Sequence, residues 1–193
     1  MQFKMPDEPV VDRARLLDVV HYICSRCSTE QLGNVKLHKI LYFSDMLHYV
    51  STGEPLTGVT YRKQRFGPVA THLTWATNQL TQDGRIRIER RDYYGFTKLD
   101  YISLRSPPKL SNLVTHLLND MIEFVCAQSA KEISEFSHNA AWDVVRMGDV
   151  IPYYSAFGMY PAAVTEADMA AATATAKQIR AQVEAEANAR GIF

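Results

Sequence analysis

Cys24-Ser25-Arg26-Cys27 places two thiols three positions apart, a spacing used for zinc ligation and for thiol–disulfide exchange. Zinc needs two further ligands at suitable spacing, and the chain has no second CxxC. A redox-active pair sits at a helix N-terminus, where the dipole lowers the thiol pKa. Here both cysteines fall near the C-terminal end of a helical pattern and on its apolar stripe, so they are expected to be buried structural thiols. The six histidines, at 21, 38, 48, 72, 116 and 138, form neither HExxH nor HxH. Ser134 and His138 are spaced i,i+4, but a nucleophilic serine also needs an orienting acid and an oxyanion hole. Without those, a structural hydrogen bond between the two is expected. Gly67 and Gly84 are isolated, so no phosphate loop is present. The expectation is a protein that is no enzyme, with no catalytic residues, no metal and no cofactor.

Charge raises a second possibility. The net charge is zero, yet residues 61–98 carry eight basic and three acidic side chains. Such a segment can attract an acidic partner. Helices flanking a hairpin suggest winged-helix-like elements. However, the helix that would read DNA, residues 71–82, holds no Lys or Arg to neutralise phosphate. Nucleic acid is therefore not the expected ligand. Arg85, Arg87 and Glu89 share one face of a strand opposite Ile86 and Ile88, as a solvated hairpin would.

The remaining sequence supplies the elements. With 193 residues, 47% hydrophobic and 22% charged, the chain has the size and composition of one globular domain. No apolar run reaches the ~20 residues of a membrane span. The polar start is no secretory signal, and three cysteines suit a reducing cytoplasm. Leu16, Val19, Val20, Ile23, Cys24 and Cys27 mark a helix over about 10–28. A second, over about 34–52, has its stripe at Leu37, Ile40, Leu41, Phe43, Leu47 and Val50, and Gly53 fits its C-terminal cap. Residues 59–66 read as an extended segment stopped by Gly67-Pro68, with Pro68 opening a third helix to about 82. Residues 85–104 read as a β-hairpin. A fourth helix spans about 110–125. Ser129 and Glu132 form a capping box for a fifth, reaching about 146. Residues 149–160 read as an irregular connection, and an Ala-rich helix of thin apolar stripe is expected at 165–190. The expected fold is thus mainly α, about six helices, with a small antiparallel hairpin or sheet. The terminal helix, within 161–193, is expected to pack on the domain of residues 1–160, on a partner or on a second copy.

Three separated motifs and a turn add a resemblance. Lys36-Leu37, with Lys39-Ile40-Leu41-Tyr42-Phe43, is similar to the KLxKLLYF signature of the Panacea, or SocA-like antitoxin, family. Gly53-Glu54-Pro55-Leu56 resembles its turn, Phe66-Gly67-Pro68-Val69 its "yGPV", and Ile133-Ser134…His138…Trp142 its "LS…H…W". The departures are His38 for Gln, Phe66 for Tyr and Ala141 for Pro. The resemblance, over about 14–145, implies a cytoplasmic antitoxin that neutralises a nearby-encoded protein toxin by direct contact. Toxins paired with the family include translation blockers, alarmone-synthetase-like enzymes and membrane-active peptides. One member instead delivers its toxin to the ClpXP protease, and autoregulation on DNA is a further alternative.

Leu37, Leu41, Phe43, Gly67, Pro68, Ser134, His138 and Trp142 are expected to be mostly architectural. Lys36, His38, Lys39 and Tyr42 lie on less apolar helix faces and are expected to reach the partner. Arg62, Arg65, Arg87 and Tyr153 join them, because Tyr and Arg are enriched at interface hot spots.

Overall fold

The computed structural model describes residues 9–93 and 95–159. The helix expected at 165–190 lies outside them. Within the described residues helices predominate, and two small antiparallel sheets accompany them.

Helix α1 (Arg13–Arg26) begins where the Asp12 carboxylate accepts from the Arg15 amide at 2.9 Å, a satisfied N-cap. It buries Leu16, Val19, Val20, Ile23 and Cys24, the expected stripe. Helix α2 (Asn34–Thr52) ends at Gly53, whose φ of 80° lets its N–H reach the Tyr49 carbonyl at 2.8 Å. Every residue from Leu37 to Met46 is buried. Helix α2 is the central strut: α1, two of the later helices, the terminal 3-10 turn and strands of both sheets pack around it.

The segment after α2 departs from expectation. Tyr61–Gln64 forms β1, the chain turns at Arg65 and Phe66, and Gly67–Ala70 returns as β2. Gly-Pro therefore opens a strand rather than a helix. Gly67 has φ 88°, which only glycine adopts without strain. Pro68 is accommodated because β2 is an edge strand, where a missing N–H costs no ladder bond. Helix α3 consequently starts late, at Leu73, and runs to Gln82. The expected hairpin is present as β3 (Ile86–Tyr93) and β4 (Phe96–Ser103) in continuous register.

Helix α4 (Asn112–Cys126) follows, capped by Ser111. Helix α5 (Ala130–Phe136) starts at the predicted capping box: Ser129 and Glu132 exchange both bonds. It does not continue to 146. It stops at Ser137, and Asn139 caps a separate one-turn helix α6 (Ala140–Asp143) through the Trp142 amide. The connection beyond is not wholly irregular. Val150–Ile151 forms β5, which pairs with Tyr61 and Arg62 to give the sheet order β2-β1-β5. A 3-10 helix then spans Tyr153–Gly158.

A polar knot lies inside this core. The fully buried Asp45 carboxylate accepts from the Thr57 amide at 2.7 Å, the Thr57 hydroxyl at 2.6 Å and the Tyr61 hydroxyl at 2.6 Å. Burial pushes its carboxyl up, and these donors act against that shift. The knot ties α2 to the start of β1.

Candidate functional site

The three sequence motifs converge on the β1–β2 hairpin. Their polar groups are spent on its main chain. From α2, Lys39 Nζ donates to the Pro68 carbonyl at 3.0 Å, and His38 Nδ1 accepts from the Ala70 amide at 3.1 Å. From α5, Ser134 Oγ donates to the Phe66 carbonyl at 2.9 Å. From α6, Trp142 Nε1 donates to the Gln64 carbonyl at 3.3 Å. The hairpin is clamped between α2 on one side and the α5–α6 segment on the other.

The clamp is close-packed. A Cβ on Gly67 would lie 2.6 Å from Lys39 Nζ and inside contact distance of Ser137 Oγ. Glycine is thus required twice at position 67, for φ and for space. Beside it, the His138 ring stacks on Trp142 at 4.1 Å between centroids. Lys63 Nζ, from β1, lies 3.7 Å above the Trp142 ring and donates to the Val145 carbonyl at 2.9 Å. A cation on an indole face in this half-buried setting is attractive.

Burial reshapes the titrating groups. Desolvation lowers the Lys39 amine to about 7, and it lowers His38 to about 4, with the Lys39 charge adding to the latter. A neutral His38 is what the geometry needs, since Nδ1 must accept from Ala70. His138 is also lowered, first by burial and then by Lys39. Its Nε2 is buried without a hydrogen-bond partner among the described residues.

Several expectations are corrected here. Lys39 is 1% exposed and Tyr42 0%, and His38 is buried as well, so none of the three is a contact surface. Reading an apolar stripe assumes that the opposite face meets water. Helix α2 is covered all round from Leu37 to Met46, so the polar residues of that stretch point into protein. Tyr153 is buried too, donating to the Val59 carbonyl at 2.9 Å. Lys36 is half-buried and donates to the Cys126 carbonyl at 3.2 Å. The expected Ser134–His138 bond does not form, because α5 ends between them and Ser134 turns to Phe66.

The other candidates are exposed but scattered. Arg62 and Arg65 flank the hairpin, with Arg62 donating to the Gly148 carbonyl at 2.9 Å. Arg87 sits on the other hairpin, paired with Glu89 at 2.9 Å. Of the motif residues, Leu37, Leu41 and Phe43 lie in the core, Gly67, Pro68 and Ser134 are buried in the clamp, Trp142 packs against the core at its edge, and His138 stacks on Trp142.

The feature missed at the sequence level is the tip itself. Phe66 is 63% exposed, and the Arg65 guanidinium lies 5.5 Å from its ring centroid. The signal available was an aromatic residue next to a Gly-Pro step, which marks a turn as readily as a helix start.

The β1–β2 tip is thus a loop held through its main chain that displays an aromatic and a cation. The chain belongs to the antitoxin SocA-like family, Panacea domain, whose profile matches residues 37–143. No curated protein and no solved structure matches it. The family points to a role in a toxin–antitoxin pair and to a non-enzymatic one. No helix among the described residues is long and apolar enough to cross a membrane.

Proposed function

We propose that this protein neutralises a cognate protein toxin in the cytoplasm by direct contact, and that the β1–β2 tip is the centre of the contact surface. The observation that carries the reading is the clamp. Lys39, Ser134 and Trp142 spend their donors on the carbonyls of Pro68, Phe66 and Gln64, which leaves the Arg65 and Phe66 side chains outward on a fixed backbone. Holding a contact loop in its bound shape lowers the ordering cost of association. Arg62, exposed on β1, extends the surface along the same hairpin.

The test is co-expression with the product of the neighbouring gene, followed by binding of the purified pair. The wild-type chain should restore growth. Phe66→Ala and Arg65→Glu should leave the fold intact and weaken binding by about 10- to 100-fold, the range of a hot-spot residue. A neighbour that is harmless alone would remove the toxin reading. Full affinity in both variants would remove the tip from the interface. Rescue that vanishes in a host lacking ClpXP would replace direct inhibition with proteolytic delivery.

A further inference from the structure

Helix α4 carries two apolar faces. The inner one, Val114, Leu118 and Val125, is buried in the core. The other, about 100° round the helix, holds Leu113, Leu117 and Phe124. An outward helix face ordinarily carries polar residues. Here Leu113 is 64% exposed and Phe124 37%. Phe136, from α5, is 56% exposed and extends this face. Its ring meets Phe124 edge-on at 5.2 Å between centroids, and both rings rest on the buried Phe43. Asp120 stands on the same face one turn before Phe124, and Glu123 borders it. Both carboxylates are exposed, and neither has an ion-pair partner among the described residues.

We infer that this aromatic, acidic face receives the β1–β2 tip of a second copy of the chain, so that self-association and toxin binding are alternative uses of one tip. The tip is the counterpart of the face in both respects. It shows an exposed aromatic ring, Phe66, and an exposed cation, Arg65, which has no ion-pair partner among the described residues. Phe66 adds a third ring to the edge-on pair of Phe124 and Phe136. Arg65 meets the carboxylates of Asp120 and Glu123. The tip cannot fold back onto the face of its own chain. Ser134 holds the Phe66 carbonyl at 2.9 Å, and Phe136, two residues on, points about 200° away round α5. Tip and face therefore lie on opposite sides of that helix, and a second molecule must supply the match.

The contact is small and falls at the weak end of protein interfaces. A partner of higher affinity displaces it. Its effect is to cover Arg65 and Phe66 while no such partner is bound. The self-association stands on the two surfaces alone; only its regulatory consequence rests on the toxin reading of the tip.

The experiment is sedimentation velocity of the full-length protein from about 10 µM to about 1 mM, at low and high salt. Wild type should move from monomer to larger species as concentration rises, and less so at high salt. Arg65→Glu, and separately the double change Asp120→Arg with Glu123→Arg, should each weaken association about tenfold. Mixing these two variants should restore it, because a reversed tip then meets a reversed face. Phe136→Ser should weaken it at unchanged charge. The inference is overturned if wild type stays monomeric throughout, if association survives in both charge variants, or if their mixture does not restore it. The face variants keep Arg65 and Phe66, so their toxin affinity should equal or exceed that of wild type. A lower one would make the face part of the toxin's own site and overturn the inference. A monomeric wild type that binds toxin through the tip would leave the proposed function standing, whereas self-association with no toxin binding would do the reverse.

Discussion

Gly67→Ala is the sharpest test of the clamp, because two separable costs fall on one methyl group. The first is conformational. At φ 88° an alanine carries a left-handed penalty of about 1–2 kcal/mol. The second is steric. The new Cβ would sit 2.6 Å from Lys39 Nζ and overlap Ser137 Oγ. Lys39 must then leave the Pro68 carbonyl, and Ser137 must leave the Ser134 carbonyl that it holds at 2.7 Å. Losing those bonds costs about 1–3 kcal/mol for a buried group left unsatisfied, and about 1 kcal/mol for the hydroxyl. The total is about 3–6 kcal/mol, a large part of a typical domain's stability.

Gly53→Ala supplies the control. Gly53 has φ 80°, but nothing lies within 4 Å of its Cβ position, so only the conformational term applies. Urea unfolding of both variants, analysed with a common m-value, isolates the packing term as their difference, about 2–4 kcal/mol. If Gly67→Ala is no more destabilising than Gly53→Ala, the close approach of α2, the α5–α6 segment and the hairpin is wrong.

Three further outcomes follow from buried polar groups. His38 is lowered to about 4, so between that value and 6.5 the unfolded chain binds more protons. Stability should therefore fall by about 3 kcal/mol on acidification through that window, and His38→Gln should remove that slope in chemical denaturation at a series of pH values. Lys39, lowered to about 7 from 10.5, makes the unfolded chain the better proton binder in that alkaline window. Stability should rise by about 3 kcal/mol between about pH 7 and about pH 9.5, and Lys39→Met should flatten the rise. Asp45→Ala would orphan the Thr57 amide and the Thr57 and Tyr61 hydroxyls, and thermal or urea melts should report a loss of about 3–5 kcal/mol.

What could be read from the residues was whatever follows from local rules. The Gly53 cap, the Ser129–Glu132 box and the β3–β4 hairpin depend on neighbours in sequence, and all three are present. The departures come from long-range contacts. Gly67-Pro68 is compatible with a helix start or an edge strand, and pairing with β1 decides between them. Val150–Ile151 is too short to show a period-2 pattern, and Tyr61 and Arg62 make it a strand. The break after α5 was signalled by Asn139, but the stronger capping box upstream suggested one continuous helix. The candidate site was the least legible part. Lys39 and Tyr42 are chemically suited to an interface, and only the packing of other elements around α2 puts them inside.

Sheet order β2-β1-β5 has a consequence for how the protein comes into being. The hairpin follows its α2 supports, Lys39 and His38, in the chain but precedes those on its other side. Ser134 and Trp142 must follow to grip Phe66 and Gln64, and then Ile151 and Tyr153 must arrive to pair with Tyr61 and to hold Val59. Chains grow at ~5–20 residues per second, so the loop waits several seconds for its frame. A nascent chain, or one cut before residue 134, carries Arg65 and Phe66 without the Ser134 and Trp142 donors that hold their backbone. A chain stopped there would thus be made without the frame that fixes its β1–β2 tip.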